Sequence, residues 1–227
     1  MNIRRVTISG ADDHTDVGAL KALRHEFPFV EWGILLSKNA PADRYPTIPW
    51  VSNLLRSDIN VSFHLCGDYA RWCMAGDMES VGRLIGRVSR VQINGFSGFH
   101  LPDLYAARLF PDVEFILQCS HNEAWDHAVS LRDRYRNVTM LWDPSGGEGR
   151  RFFETKYPSQ ASIEFGLAGG ISDQNIDEAL SHATKTQATW VDMESGVRTG
   201  NRFDLSKVRT VLSKCALLLD NKTLWVP

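Results

Sequence analysis

The chain has 227 residues, of which 43% are hydrophobic and 23% charged, with a formal net charge of −2. That balance excludes a disordered chain and leaves no bulk attraction for nucleic acid or an anionic membrane surface, so any anion site must be local. The four cysteines (Cys66, Cys73, Cys119, Cys215) form no C-x-x-C pair and no metal-like spacing with histidine, so neither a metal nor a cofactor is expected.

Short β-like runs recur along the chain: Arg4–Ser9, Glu31–Ser37, Asn60–Cys66, Arg90–Asn94, Glu114–Ser120, Val138–Asp143, Ser162–Ala168 and Thr189–Met193. Helix-like stretches fall between or after them at Asp16–Phe27, Ile48–Arg56, Met78–Val88, His121–Arg134, Ser172–His182 and Asp204–Ser213. Strand–helix alternation calls for a parallel sheet with right-handed crossovers. Eight units in this length predict an α/β fold, a (β/α)₈ TIM barrel forming one domain over residues 1–227. An open dinucleotide-binding sheet is disfavoured because no G-x-G-x-x-G follows the first run. The first residues lack the apolar core of a signal peptide and no apolar run reaches membrane-spanning length, so a cytoplasmic protein without membrane contact is expected.

Side-chain parity assigns functions to faces. Val61, Phe63 and Leu65 oppose Ser62, His64 and Cys66, and the same alternation recurs in Val91-Gln92-Ile93-Asn94. The apolar face should meet the outer helices and the polar face should point into the barrel. Ser9, Ser37, Cys66, Asn94, Ser120 and Asp143 then form a predicted ring around the C-terminal mouth. A polar interior is costly unless its groups satisfy one another or meet a ligand.

Two late turns carry glycine, Leu167-Ala168-Gly169-Gly170 and Met193-Glu194-Ser195-Gly196-Val197. Glycine lets backbone N–H groups approach an anion, and a helix starting at Ser172 would add partial positive charge. Together they predict a phosphate grip after the seventh and eighth strands.

Five motifs in chain order now resemble the phosphoribosylanthranilate isomerase family over nearly the whole sequence. Leu167–Ser172 is similar to its LAGGL-T turn, and Val191–Val197 to its DVSSGVE turn. Asp143 with Gly146–Phe152 is similar to its D…GGTGKTF signature. Arg44-Tyr45-Pro46 is similar to its PRYV element, and Val91–Gly95 to its VQLHG strand. The resemblance implies an Amadori rearrangement of an aminoaldose phosphate. It also implies Asp143 as general acid, Gly169, Gly170, Ser195 and Gly196 as phosphate ligands, and Arg44 as partner of an aromatic carboxylate.

This chain departs from the family pattern at the base. Ser9 stands where the family has its catalytic cysteine, Thr7 where it has lysine and Asn94 where it has histidine. A serine hydroxyl does not hold the charge that a thiolate holds. Replacement bases are Cys66, then His64 two residues deeper, then His14. Arg198, where the family has glutamate, is either solvated or an added charge near the anion. The expected partner is a small phosphorylated metabolite, with a homodimer left open. Three activities compete: an isomerase with an altered base, a non-catalytic phosphometabolite-binding relative, and a barrel lyase or aldolase. The last is weakened by the lack of an inward lysine at a strand end.

Overall fold

A computed structural model describes residues 3–39, 44–96, 103–146 and 163–220. Eight strands close a barrel in chain order: β1 (Arg5–Ser9), β2 (Val30–Leu36), β3 (Val61–Leu65), β4 (Arg90–Phe96), β5 (Glu114–Cys119), β6 (Val138–Trp142), β7 (Phe165–Ala168) and β8 (Trp190–Met193). Every pair is parallel, and β8 closes on β1 with Thr7 beside Asp192. The α/β TIM-barrel expectation holds, and the strand ends agree with the sequence to within one or two residues wherever both are described.

Helices α1 (Val17–Glu26), α2 (Ile48–Leu54), α3 (Asp68–Ala75), α4 (Met78–Ile85), α5 (Tyr105–Leu109), α6 (Asn122–Arg134), α7 (Ile176–Thr186) and α8 (Leu205–Asp220) lie between or after the strands. A small antiparallel pair, β9 (Arg198–Thr199) with β10 (Arg202–Phe203), precedes α8. Helices α3 and α5 were not among the expected stretches; α5, at five residues, is too short to establish a periodicity.

The outward strand faces make the main core, as parity requires. Trp32 and Trp142 both face outward, Trp142 meeting Trp125 of α6 edge-on at 5.9 Å. The interior departs from the prediction of a uniformly polar face. On the β1–β4 side it is polar, with Thr7, Glu31, Ser62, His64, Arg90 and Gln92 all buried. On the β5–β8 side Ile116, Leu141, Ala168 and Trp190 form a separate apolar cluster. Gly33 of β2 makes the polar half possible. A Cβ there would lie 2.2 Å from Ser9 Oγ and 2.6 Å from a His64 ring carbon.

The helix expected to start at Ser172 starts one turn later, at Ile176. The backbone N–H of Ser172 donates to Asn175 Oδ1 at 2.8 Å, and Asn175 Nδ2 donates to the Gly170 carbonyl at 2.8 Å. These bonds stabilise a turn over residues 172–175, so Asn175 and not Ser172 occupies the cap position.

Candidate active site

A cavity of about 340 Å³ opens at the C-terminal mouth of the barrel. It brings together Ser9, Arg44, Cys66, Asn94 and Asp143 with Gly169, Gly170 and Ser195. Two members of the predicted ring are not on its wall. Ser37 and Ser120 lie just past the ends of β2 and β5. Gln92, Gln118 and Asp192 line the cavity in addition.

Asp143 directly follows β6 and is buried. Its Oδ1 accepts from Ser145 Oγ at 2.6 Å and from the Ser145 backbone N–H at 3.1 Å. Its Oδ2 accepts from Gln118 Nε2 at 2.7 Å. The Gln118 amide is itself oriented, because Gly95 N–H donates to its Oε1 at 2.9 Å. The carboxyl group is therefore held in one position by β5 and by its own turn. The glycine-rich continuation, Gly147–Phe152, lies outside the described residues.

Across the cavity, Ser9 Oγ donates to Asp192 Oδ1 at 2.8 Å. Asp192 is buried at the end of β8, and its carboxyl is pushed up to about 7. Burial is the main cause. The Ser9 bond opposes it, while the charges of Glu194, Asp143 and Glu31 reinforce it. Sequence reasoning treated Asp192 only as part of a turn motif and missed it as a functional group. Its inward parity at a strand end was the available signal.

The replacement bases proposed from sequence behave differently. Cys66 lines the cavity and accepts from Asn94 Nδ2 at 3.2 Å, but burial pushes its thiol up to about 11. A thiolate is thus disfavoured there. His64 is buried, and burial with the nearby Arg90 charge pushes it down to about 3, so it stays neutral. Its Nδ1 lies 3.4 Å from Gln92 Nε2 and 3.5 Å from Ser9 Oγ. His14 is exposed on the loop after β1 and is not on the cavity wall. Arg198 is neither solvated nor turned to the cavity. Its Nη1 donates to the Gly10 carbonyl at 2.7 Å, and its Nη2 lies 3.7 Å from Asp12 Oδ2.

Arg44 follows β2 and reaches across the mouth to Glu194, donating from Nη2 to Oε2 at 2.7 Å and from Nε to Oε1. The pair is bidentate, the stronger geometry for a guanidinium and a carboxylate.

The two glycine turns meet at the far side of the cavity. Gly169 and Gly170 have φ of +117° and +61°, values that an L side chain rarely adopts. Among the described residues none accepts a hydrogen bond from the backbone N–H of Gly169, Gly170 or Ser195. Gly196 differs from its neighbours, because it does not line the cavity. A Cβ there would stand 2.0 Å from the Ile171 carbonyl oxygen and 2.7 Å from Ser172 Cα, and the backbones of Ser172 and Gly196 form a parallel bridge. Its position is that of a fastener between the turns.

Fold and cavity define a class, the (β/α)₈ barrels that present glycine turns after β7 and β8 beside acidic strand ends. The family model described as N-(5'phosphoribosyl)anthranilate (PRA) isomerase matches residues 77–214, and the chain belongs to that family. It is similar to a multifunctional tryptophan biosynthesis protein of Schizosaccharomyces pombe, at 26% identity over 141 residues. That match covers 60% of this chain and 17% of the other. It is also similar to the N-(5'-phosphoribosyl)anthranilate isomerase of Streptococcus mutans, at 29% identity over 105 residues. Here the match covers 43% of this chain and 53% of the other, so the chain spans about half or less of these relatives. Among solved structures, the N-(5'-phosphoribosyl)anthranilate isomerase of Pyrococcus furiosus superimposes with a TM-score of 0.60 at 15% identity. That alignment covers 94% of this chain and 98% of that one. No described helix is long and apolar enough to cross a membrane.

Proposed function

We propose that the protein is an aldose–ketose isomerase acting on a phosphorylated aminosugar, with residues 1–227 serving as one barrel domain. The observation that carries this reading is the pair of buried carboxyl groups, Asp143 and Asp192, on the wall of a cavity whose far side offers unpartnered backbone N–H groups. The sugar phosphate sits on the N–H groups of Gly169, Gly170 and Ser195, with Gly196 keeping the two turns together. Cys66 and Asn94 form wall between the two carboxyl groups and contact the sugar.

Asp143 gives a proton to the furanose oxygen as the C1–O bond breaks, leaving an iminium ion. Asp192 then takes the C2 proton, the electron pair of that C–H bond neutralises the iminium, and an enolamine forms. Tautomerisation gives the ketose, so no outside oxidant or reductant is needed. Asp192 replaces the thiolate that Ser9 cannot supply, and Ser9 orients it. Its elevated proton affinity suits an acceptor working near neutrality. The lyase or aldolase reading finds no support, because no lysine is among the described residues of the wall.

The test offers purified protein N-(5'-phosphoribosyl)anthranilate and the corresponding carboxyl-free aniline compound, and follows the arylamino ketose. Conversion of at least one is expected, with Asp143→Asn lowering kcat/KM by roughly 100-fold or more and Cys66→Ser changing it little. Binding of both compounds with no conversion would instead favour the non-catalytic relative, a reading that the unionisable Ser9 hydroxyl keeps open.

A further inference from the structure

The wall of the cavity carries a conspicuous charge pattern. Three carboxyl groups line it, Asp143, Asp192 and Glu194, against one cation among the described residues of the wall, Arg44. That cation is already neutralised by Glu194 in a two-point contact. The pair is seated in the surrounding backbone. Glu194 packs over Gly10, where a Cβ would lie 3.1 Å from its Cγ, and Arg198 binds the same Gly10 at its carbonyl. Resting on the isomerase reading, we infer that Glu194 occupies the place of a ligand carboxylate and restricts the substrate to phosphorylated aminosugars whose amine substituent bears no acid.

The physical argument concerns the carboxylate that would be displaced. A ligand anion could reach Arg44 only by parting it from Glu194. That would leave Glu194, already mostly covered by its neighbours, facing the ligand anion and Asp192 without a counter-charge. Arg44 is 44% exposed and Glu194 22%, so the obstacle is the like charge of Glu194 set against the incoming anion rather than the loss of a buried pair. The result is rejection by a built-in charge, discrimination against one ligand in place of attraction for another. A neutral or cationic amine substituent meets no such obstacle. A brace that only tied the β2 loop to the β8 turn would not make affinity depend on ligand charge.

The experiment uses two stable ligands, the reduced 1-(o-carboxyphenylamino)-1-deoxyribulose 5-phosphate and its counterpart with a plain phenyl ring. Calorimetry on the full chain should show the phenyl compound binding roughly tenfold more tightly or better, a difference of about 1.4 kcal/mol. Glu194→Gln, which removes the charge and keeps the shape, should erase or reverse that preference. Equal or tighter binding of the carboxyl compound to the wild type would overturn the inference, as would an unchanged ratio in Glu194→Gln. Either result leaves the isomerase reading standing. If neither compound binds either protein, the sugar-phosphate reading falls and this inference falls with it.

Discussion

The two ends of the barrel solve the same problem in opposite ways. At the N-terminal end, inward charges neutralise one another. Arg90, buried on β4, binds Glu114 through Nε at 2.9 Å and Nη2 at 3.2 Å, binds Glu31 through Nη1, and lies 4.8 Å from the Trp190 ring centroid. Thr7 and Thr139 supply further donors to the two glutamates, at 3.0 Å and 2.8 Å. At the C-terminal end, the described residues that bond to Asp143 and Asp192 do so through amide and hydroxyl groups. Neutral donors orient a carboxyl group without neutralising it. The described contacts thus close one end with ion pairs and orient carboxyl groups at the other with neutral donors.

Three measurements would break or sharpen that contrast. The largest effect is expected at the ion-paired end. Arg90→Met strands the buried Glu31 without its cation, while Glu114 keeps Arg5 at 3.6 Å, and should cost about 3–5 kcal/mol in urea unfolding. A variant as stable as the wild type would mean that Glu31 has water access and the end is not closed.

Next comes Asp192→Asn, for which activity and stability should move in opposite directions. The acceptor works only when ionised, so wild-type kcat/KM should rise with pH and reach half its plateau near about 7. In the unfolded chain the same carboxyl ionises near its ordinary value of 3.8. The unfolded state thus releases its proton first. This group makes folding progressively less favourable from about pH 4 to about pH 7, and the deficit is constant above that. Asp192→Asn should lower kcat/KM by roughly 100-fold while raising Tm at pH 8. A fall in both would make Asp192 a structural group only.

The smallest effect is expected at the fastener. Gly196→Ala pushes a methyl group against the Ile171 carbonyl and the Ser172 backbone. It should cost about 1–3 kcal/mol of stability and weaken sugar-phosphate affinity in calorimetry. Undiminished affinity would show that the two turns bind independently.

Much of the barrel was readable in the sequence because strand parity repeats eight times and each repeat supports the others. The apolar half of the interior was less readable. Ile116 and Leu141 sit within runs that are apolar on both faces, so alternation carries no information there. The late start of α7 was hidden by Ser172, whose side chain suits a cap and a turn equally well. Within the site, Asp143, Ser9 and the glycine turns were found because they sit in recognisable motifs. The Arg44–Glu194 pair was not, since its members are 150 residues apart and meet only when the barrel closes. Glu194 was nonetheless visible as a departure, a carboxylate where the family turn has serine.

Gly33 belongs to neither β1 nor β3, yet it decides what those strands can present. A single methyl group there would collide with both Ser9 and His64. The contents of the cavity floor are thus inherited as a set, and the order in which they change matters. A larger residue on β2 can be accepted only after both Ser9 and His64 have become smaller. A lineage that holds both is committed to glycine between them.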